Sequence, residues 1–128
     1  MVGVASAGTN QTPTIATTYG IYFRPSTGVL TAVNVGATSD ARTKTNIQTI
    51  TNALDTVLKL RGVSYTSTLE QADNIGVIAQ EIQEVVPQVV RVNNQGYLSV
   101  SYGNIVGLLI EAIKELKAEI NDVKKKLP

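Results

Sequence analysis

The 128-residue chain has no cysteine and no histidine, and these two absences remove most of the usual site chemistry. Without cysteine there is no disulfide, no thiol nucleophile and no thiolate metal ligand. Without histidine there is no Ser-His-Asp triad and no ordinary zinc centre, so neither a metal nor a cofactor is expected. A nucleophilic serine could be activated only by a lysine, a carboxylate or the N-terminal amine. Charge of either sign is nearly balanced, with eleven Lys/Arg against ten Asp/Glu and a formal net charge of +1. That balance argues against a nucleic-acid partner held by bulk electrostatics. No run of about 18 apolar residues occurs, so no membrane-spanning helix is expected. The first residues lack the basic and apolar regions of a signal peptide, and MVGVASAGTN reads as the middle of a longer protein. No Walker loop or paired-glycine dinucleotide fingerprint is present. The absence of cysteine fits a reducing compartment.

What charge there is lies on one side of a border. Residues 1–38 carry one charged side chain, Arg24, and everything else charged follows Ser39. The segment SDARTKTNI, residues 39–47, therefore joins two different materials. A serine, an aspartate and a lysine at such a border suggest a self-cleavage junction between the end of a fibrous β protein and a detachable folding domain. The division expected is 1–38 for the end of a β region and 39–128 for a mixed domain, giving an α+β chain.

Residues 1–18, rich in Ala, Ser, Thr and Gly, suit extended structure or disorder. Tyr19, Ile21 and Phe23 alternate with Gly20, Tyr22 and Arg24; PSTG at 25–28 is a turn signal; Val29, Thr31, Val33 and Val35 alternate again. The pattern predicts a β-hairpin that needs partners. Ile47, Ile50, Leu54, Val57 and Leu58 share one face at helical spacing, with Asn46 or Ser39 as candidate caps and Gly62 after the end. VSYTS at 63–67 predicts a short strand, and ADN at 72–74 a turn. Residues 79–86 predict a helix stopped by Pro87. Two apolar runs on either side of NNQG, residues 93–96, predict a second hairpin. Gln80, Glu81, Gln83 and Glu84 read as a solvated helix face, although Gln80 follows the apolar IGVIA and could be buried, supporting a site or a subunit contact.

From about Asn104 the pattern is one long helix. Leu109, Ile113, Leu116, Ile120, Val123 and Leu127 are spaced four, three, four, three, four, an a/d heptad seam flanked by charge. Packing on its own domain is one reading. An inter-chain coiled coil is the other, favoured because few local elements remain to cover the stripe. Lys124–Lys126 suits the negative end of the helix dipole.

SDARTKTNI, NALDTVLKLRGVSY, IGVIAQEIQEVVPQVV and YLSVSYGNIVGLLIEAIKELKAEI together resemble the C-terminal intramolecular chaperone domain of phage endosialidases, tail fibres and neck appendages. The resemblance spans residues 39–128 nearly end to end. It implies a domain that forms a homotrimer through a coiled coil and aligns the upstream β region of the same chain. The domain then releases itself by autoproteolysis, as a single-turnover serine endopeptidase with a Ser-Lys dyad. The family pair falls on Ser39 and Lys44, with Asp40 and Gln80 as supporting candidates. The setting implied is the host cytoplasm during phage assembly, with the fibre part kept in the virion and the chaperone domain released. A related domain also occurs in a membrane-tethered eukaryotic transcription factor, but uncharged, β-patterned residues 1–38 look more like a fibre end. A non-cleaving trimerisation cap of the same fold is the alternative.

Ser39 also reads as a helix N-cap without chemistry. If it is the nucleophile, Lys44 must act as a free amine, which burial or a nearby cation favours. On one regular helix, side chains five residues apart point about 140° away from each other, so Ser39 must lie outside the helix with the chain bent back. Attack by Ser39 Oγ on the Thr38 carbonyl closes a five-membered ring and favours the Thr38–Ser39 bond. Cutting at Ser39–Asp40 is the alternative, and would need Asp40 or another chain's Ser39 to act. Asp40 could hold Lys44 or cap the helix; a tight Asp40–Lys44 pair would oppose the base role.

Overall fold

The computed structural model describes residues 21–128. Its contacts divide the chain into two units. One holds the described residues through Thr38 together with Thr66–Ala72; the other holds Ser39–Tyr65 and Asp73–Pro128.

In the first unit, strands β1 (Tyr22–Arg24) and β2 (Val29–Thr31) pair antiparallel, with Phe23 opposite Leu30. The turn closes through Gly28 N donating to Arg24 O at 2.8 Å, and Gly28 adopts φ 75°, a conformation glycine takes without steric cost. The hairpin expected over this stretch is present but shorter. Val33 and Val35 lie beyond β2 and are exposed. The expectations for residues 1–20 lie outside the described residues.

The second unit is a small α+β body. Helix α1 is Ala53–Val57, strands β3 and β4 are Val63–Ser67 and Ala72–Gly76, and helix α2 is Ala79–Val85. Strands β5 (Val90–Val92) and β6 (Leu98–Val100) follow, then helix α3, Val106–Lys125. The tip of the β3–β4 pair belongs to the first unit. Pro87 ends α2 by pushing Val86 off helical backbone (φ −134°, ψ 67°). β5 and β6 pair antiparallel, Val90 with Val100 and Val92 with Leu98. Their turn is tied by Asn93 Oδ1, which accepts from Gln95 N at 2.9 Å and Tyr97 N at 3.0 Å. Gly76 is required for a close approach: a Cβ there would lie 2.7 Å from Tyr102 Oη, the atom that accepts a hydrogen bond from Val77 N at 3.2 Å.

Six apolar residues form the buried core of the described chain, in two patches. Ala53 of α1 meets Leu108 and Ala112 of α3, and Ile82, Val89 and Val90 form the other; Leu60 and Val86 border both. The small side chains of Ala53 and Ala112 let α1 and α3 approach. A carboxylate completes that contact, with Leu54 N donating to Glu115 Oε2 at 2.5 Å. It caps an α1 N-terminus whose own cap residue, Asn52, makes no side-chain cap bond.

Four expectations are corrected. The helix read over 47–58 is only Ala53–Val57, and neither Ser39 nor Asn46 caps it. Asn46 and Asn52 both take left-handed backbone (φ 53°), which breaks a helix before it can run through Ile47 and Ile50. ADN at 72–74 opens β4, and the turn falls before it, with Gln71 at φ 56° and its N–H on Ser67 O at 2.8 Å. The last helix is entered through a 3-10 turn, Tyr102–Ile105. Leu127 lies past its end.

α3 separates two apolar faces. Leu108 and Ala112 face the domain, whereas Leu109, Ile113, Leu116, Ile120 and Val123 are all exposed, Ile113 at 65%. The heptad stripe is thus distinct from the face that the chain buries for itself.

Ile82 is 1% exposed at the centre of its patch. Replacing it with alanine should cost about 2–5 kcal/mol, measured by chemical denaturation. A loss below about 1 kcal/mol would mean that the patch is not closed around this side chain.

Candidate functional site

The junction is built by a single turn. Asp40, in extended conformation, caps a 3-10 turn over Ala41–Thr43, and its Oδ1 accepts from Arg42 N at 2.8 Å. Thr43 N and Lys44 N close the turn on Asp40 O (3.0 Å) and Ala41 O (3.1 Å). Thr43 Oγ1 adds a 2.7 Å bond to Asp40 O. Lys44 leaves the turn extended (φ −128°, ψ 146°), so its side chain folds back over the start of the segment. Its Nζ lies 2.5 Å from Ser39 Oγ and 3.0 Å from Ser39 O.

The two side chains that a regular helix would hold apart therefore meet, and local hydrogen bonds alone bend the chain. The contact forms within one chain, and Ser39 and Lys44 are both exposed there. A hydroxyl and an amine at this distance can exchange a proton in either direction. The same amine on Ser39 O touches the carbonyl of the Ser39–Asp40 bond, not that of Thr38.

Asp40 pairs with Arg42 and not with Lys44. Arg42 Nε donates to Oδ1 at 3.0 Å and Nη2 to Oδ2 at 2.9 Å, a two-point contact on one carboxylate. These side-chain bonds, with the Arg42 backbone N–H, hold the Asp40 carboxyl below the usual carboxylate range. Asp40 in turn raises the Arg42 guanidinium.

Gln80 lies in the first turn of α2 and is exposed, not buried. It borders a groove with Tyr65, Tyr97 and Tyr102 and makes no hydrogen bond to Ser39 or Lys44. Beside it Glu81 pairs with Arg61, Nη2 to Oε1 at 2.5 Å, which lowers the glutamate and raises the arginine. No group of acidic residues suited to a metal ion occurs among the described residues. No helix among them is long and apolar enough to cross a membrane. Arg42 and Glu115 were not singled out from the sequence. An acid two residues before an arginine was a readable signal for the first; the second spans 61 positions and left none.

Residues 39–91 match the model of a peptidase family described as chaperone of endosialidase. The chain is also 37% identical over 111 residues to the long tail fiber protein Gp37 of Enterobacteria phage K3, and to that of Enterobacteria phage T2. Those alignments take in 77% of this chain but 9% and 8% of the fibre proteins. The long tail fiber protein of Enterobacteria phage M1 is 30% identical over 118 residues, covering 84% of this chain and 46% of that protein. The chain thus spans less than half the length of these relatives. The match over residues 39–91 and the likeness to phage long tail fibres support a chaperone domain of the kind carried by tail fibres.

The Asp40 carboxyl should titrate below the ordinary carboxylate range in a side-chain NMR titration. Because its folded value is depressed, any stabilisation by the turn is present above the ordinary range and is lost as pH falls through the folded value. Arg42→Gln should return the midpoint toward the ordinary range; an unchanged midpoint would mean that the pair does not persist in solution.

Proposed function

We propose that the chain is the end of a phage tail fibre joined to an intramolecular chaperone, which trimerises, aligns the β region before Ser39, and then cuts itself free. The division is at residue 38, and both steps take place in the host cytoplasm while the virion is assembled. The observation that carries this reading is the 2.5 Å contact between Lys44 Nζ and Ser39 Oγ at the border between uncharged and charged chain.

The reaction needs a proton acceptor, and Lys44 is the basic side chain in contact with Ser39. As a free amine, Nζ takes the hydroxyl proton and Oγ attacks the Thr38 carbonyl carbon through a five-membered ring. The Thr38–Ser39 amide breaks, Lys44 returns the proton to the Ser39 nitrogen, and an ester joins Thr38 to Oγ. One water then hydrolyses the ester, leaving a carboxylate on Thr38 and the hydroxyl on Ser39. Burial disfavours a charged ammonium, and the single chain leaves Lys44 exposed. Assembly is the step that would cover it. In this reading neighbouring copies supply a dry site and no part of the bend.

The exposed row Leu109, Ile113, Leu116, Ile120 and Val123 is the surface for that assembly. Three chains in one β structure face a register problem, since a slip of one residue inverts every side chain. A helical seam that forms first holds three chain ends together and raises their effective concentration. Cutting afterwards removes the tether, and the finished fibre is trapped kinetically.

Ser39→Ala should abolish cleavage on a denaturing gel and leave the oligomer intact. Lys44→Arg should do the same, since a guanidinium keeps its proton at any working pH. Cutting of the Ser39→Ala chain would remove Ser39 as nucleophile, and an uncut wild-type chain would favour a structural cap.

Asp placed at both Ile113 and Ile120 puts unpaired charge into the seam at a cost of several kcal/mol. Light scattering should then report monomers, and the junction should stay intact. A trimeric double variant would show that another surface holds the copies together.

A further inference from the structure

Arg42 is the residue of the junction that the reaction above does not use. Its place is defined by what it holds. Both Asp40 oxygens are engaged by Arg42, through Nε and the backbone N–H on Oδ1 and through Nη2 on Oδ2. Lys44 Nζ spends its hydrogen bonds on Ser39 alone, and among the described residues no carboxylate pairs with it. Asp40 and Arg42 are the charged groups of its own turn, and no hydrogen bond or ion pair reaches Lys44 from any other element described.

We propose that Arg42 is a positioning residue for the Ser39–Lys44 pair: by holding the Asp40 carboxylate at two points it keeps that carboxylate off Lys44 and leaves the lysine to Ser39. The inference rests on the reading of Ser39 and Lys44 as the reacting pair. Asp40 is joined covalently to Ser39, and the Lys44 amine already lies on Ser39 O. A released Asp40 carboxylate therefore has Lys44 as the next cation in the turn. An opposite charge at that range favours the ammonium over the free amine, and only the free amine can take the serine proton. Asp40 must stay in the chain for another reason, because its Oδ1 closes the 3-10 turn. Arg42 thus permits a capping carboxylate to sit beside a lysine base. The pair is exposed, with Arg42 at 90%, and such pairs add little to stability. Its effect should be on reactivity, not on folding.

The test is a double-variant comparison in the full chain, with cleavage followed across pH. Arg42→Gln should slow cleavage near neutral pH about tenfold and move the pH–rate profile about one unit upward, since one unit is a tenfold change in free amine. The melting temperature should stay unchanged. In chains carrying Asp40→Asn, which keeps the Oδ1 acceptor for the turn, Arg42→Gln should have no effect: the double variant should match Asp40→Asn alone in rate and in profile. A loss that persists in the double variant would show that Arg42 only shapes the turn, and a wild-type profile in Arg42→Gln would remove its role. A second readout needs no cutting. In Ser39→Ala chains with labelled lysine, the NMR titration midpoint of the Lys44 side chain should rise with Arg42→Gln and fall back when Asp40→Asn is added. If the wild type never cuts but that midpoint moves, the cleavage reading fails and the Arg42–Asp40–Lys44 coupling stands. If the wild type cuts and the midpoint does not move, this inference alone is overturned.

Discussion

The contact of α1 with α3 is the constraint on which the rest of the charged unit depends. Ala53, Leu108 and Ala112 are buried there, and Glu115 reaches across to the N–H of Leu54. By using that face of α3, the chain leaves Leu109, Ile113, Leu116, Ile120 and Val123 without cover. At about 100° per residue, Leu108 turns to α1 and is buried, whereas Leu109 stays 42% exposed. α1 has five residues, too few to wrap a helix of twenty. One side of α3 is therefore committed to the fold, and the adjacent apolar side stays exposed.

The junction follows a different logic. It depends on no core, since every residue from Ala41 to Ile50 is exposed. A six-residue segment with local hydrogen bonds sets the Ser39–Lys44 contact, and a local ion pair occupies the carboxylate of its own turn. Geometry is thus available before assembly, while a water-poor environment is not. In the proposed reading, burial by neighbouring copies, rather than bending of the chain, is the control on the reaction. This order of events suits a fibre, in which early cutting would release the aligning domain too soon.

Much of this was legible in the sequence where one strong local signal stood alone. The β5–β6 hairpin announced itself through NNQG between alternating apolar runs, α2 through Pro87, and α3 through its heptad stripe. The segment before α1 was misread because periodicity and composition conflict there. Ile47 and Ile50 have helical spacing with Leu54, yet Thr45, Ile47, Thr49, Ile50 and Thr51 are β-branched, and Asn46 and Asn52 accept left-handed backbone. Ala72–Asn74 carries turn-forming residue types, but pairing with β3 draws it into a strand. At the junction, the residue pair came from a family resemblance and the need for a bend from helix geometry. That Asp40 would cap a 3-10 turn, and that Arg42 would take its carboxylate, depended on backbone angles that no spacing rule supplies.

The family match over residues 39–91 and the likeness to phage tail fibres support a chaperone role for the charged unit. In the proposed reading, the bond before Ser39 joins that role to chemistry. The most direct measurement is the intact mass and N-terminal residue of the C-terminal fragment, collected after the assembled wild-type chain has stood at neutral pH. The account predicts a fragment that begins with an unmodified Ser39 and a matching partner that ends in a Thr38 carboxylate. A fragment that begins at Asp40 would contradict the five-membered-ring route, and a chain that stays whole would contradict self-cleavage altogether.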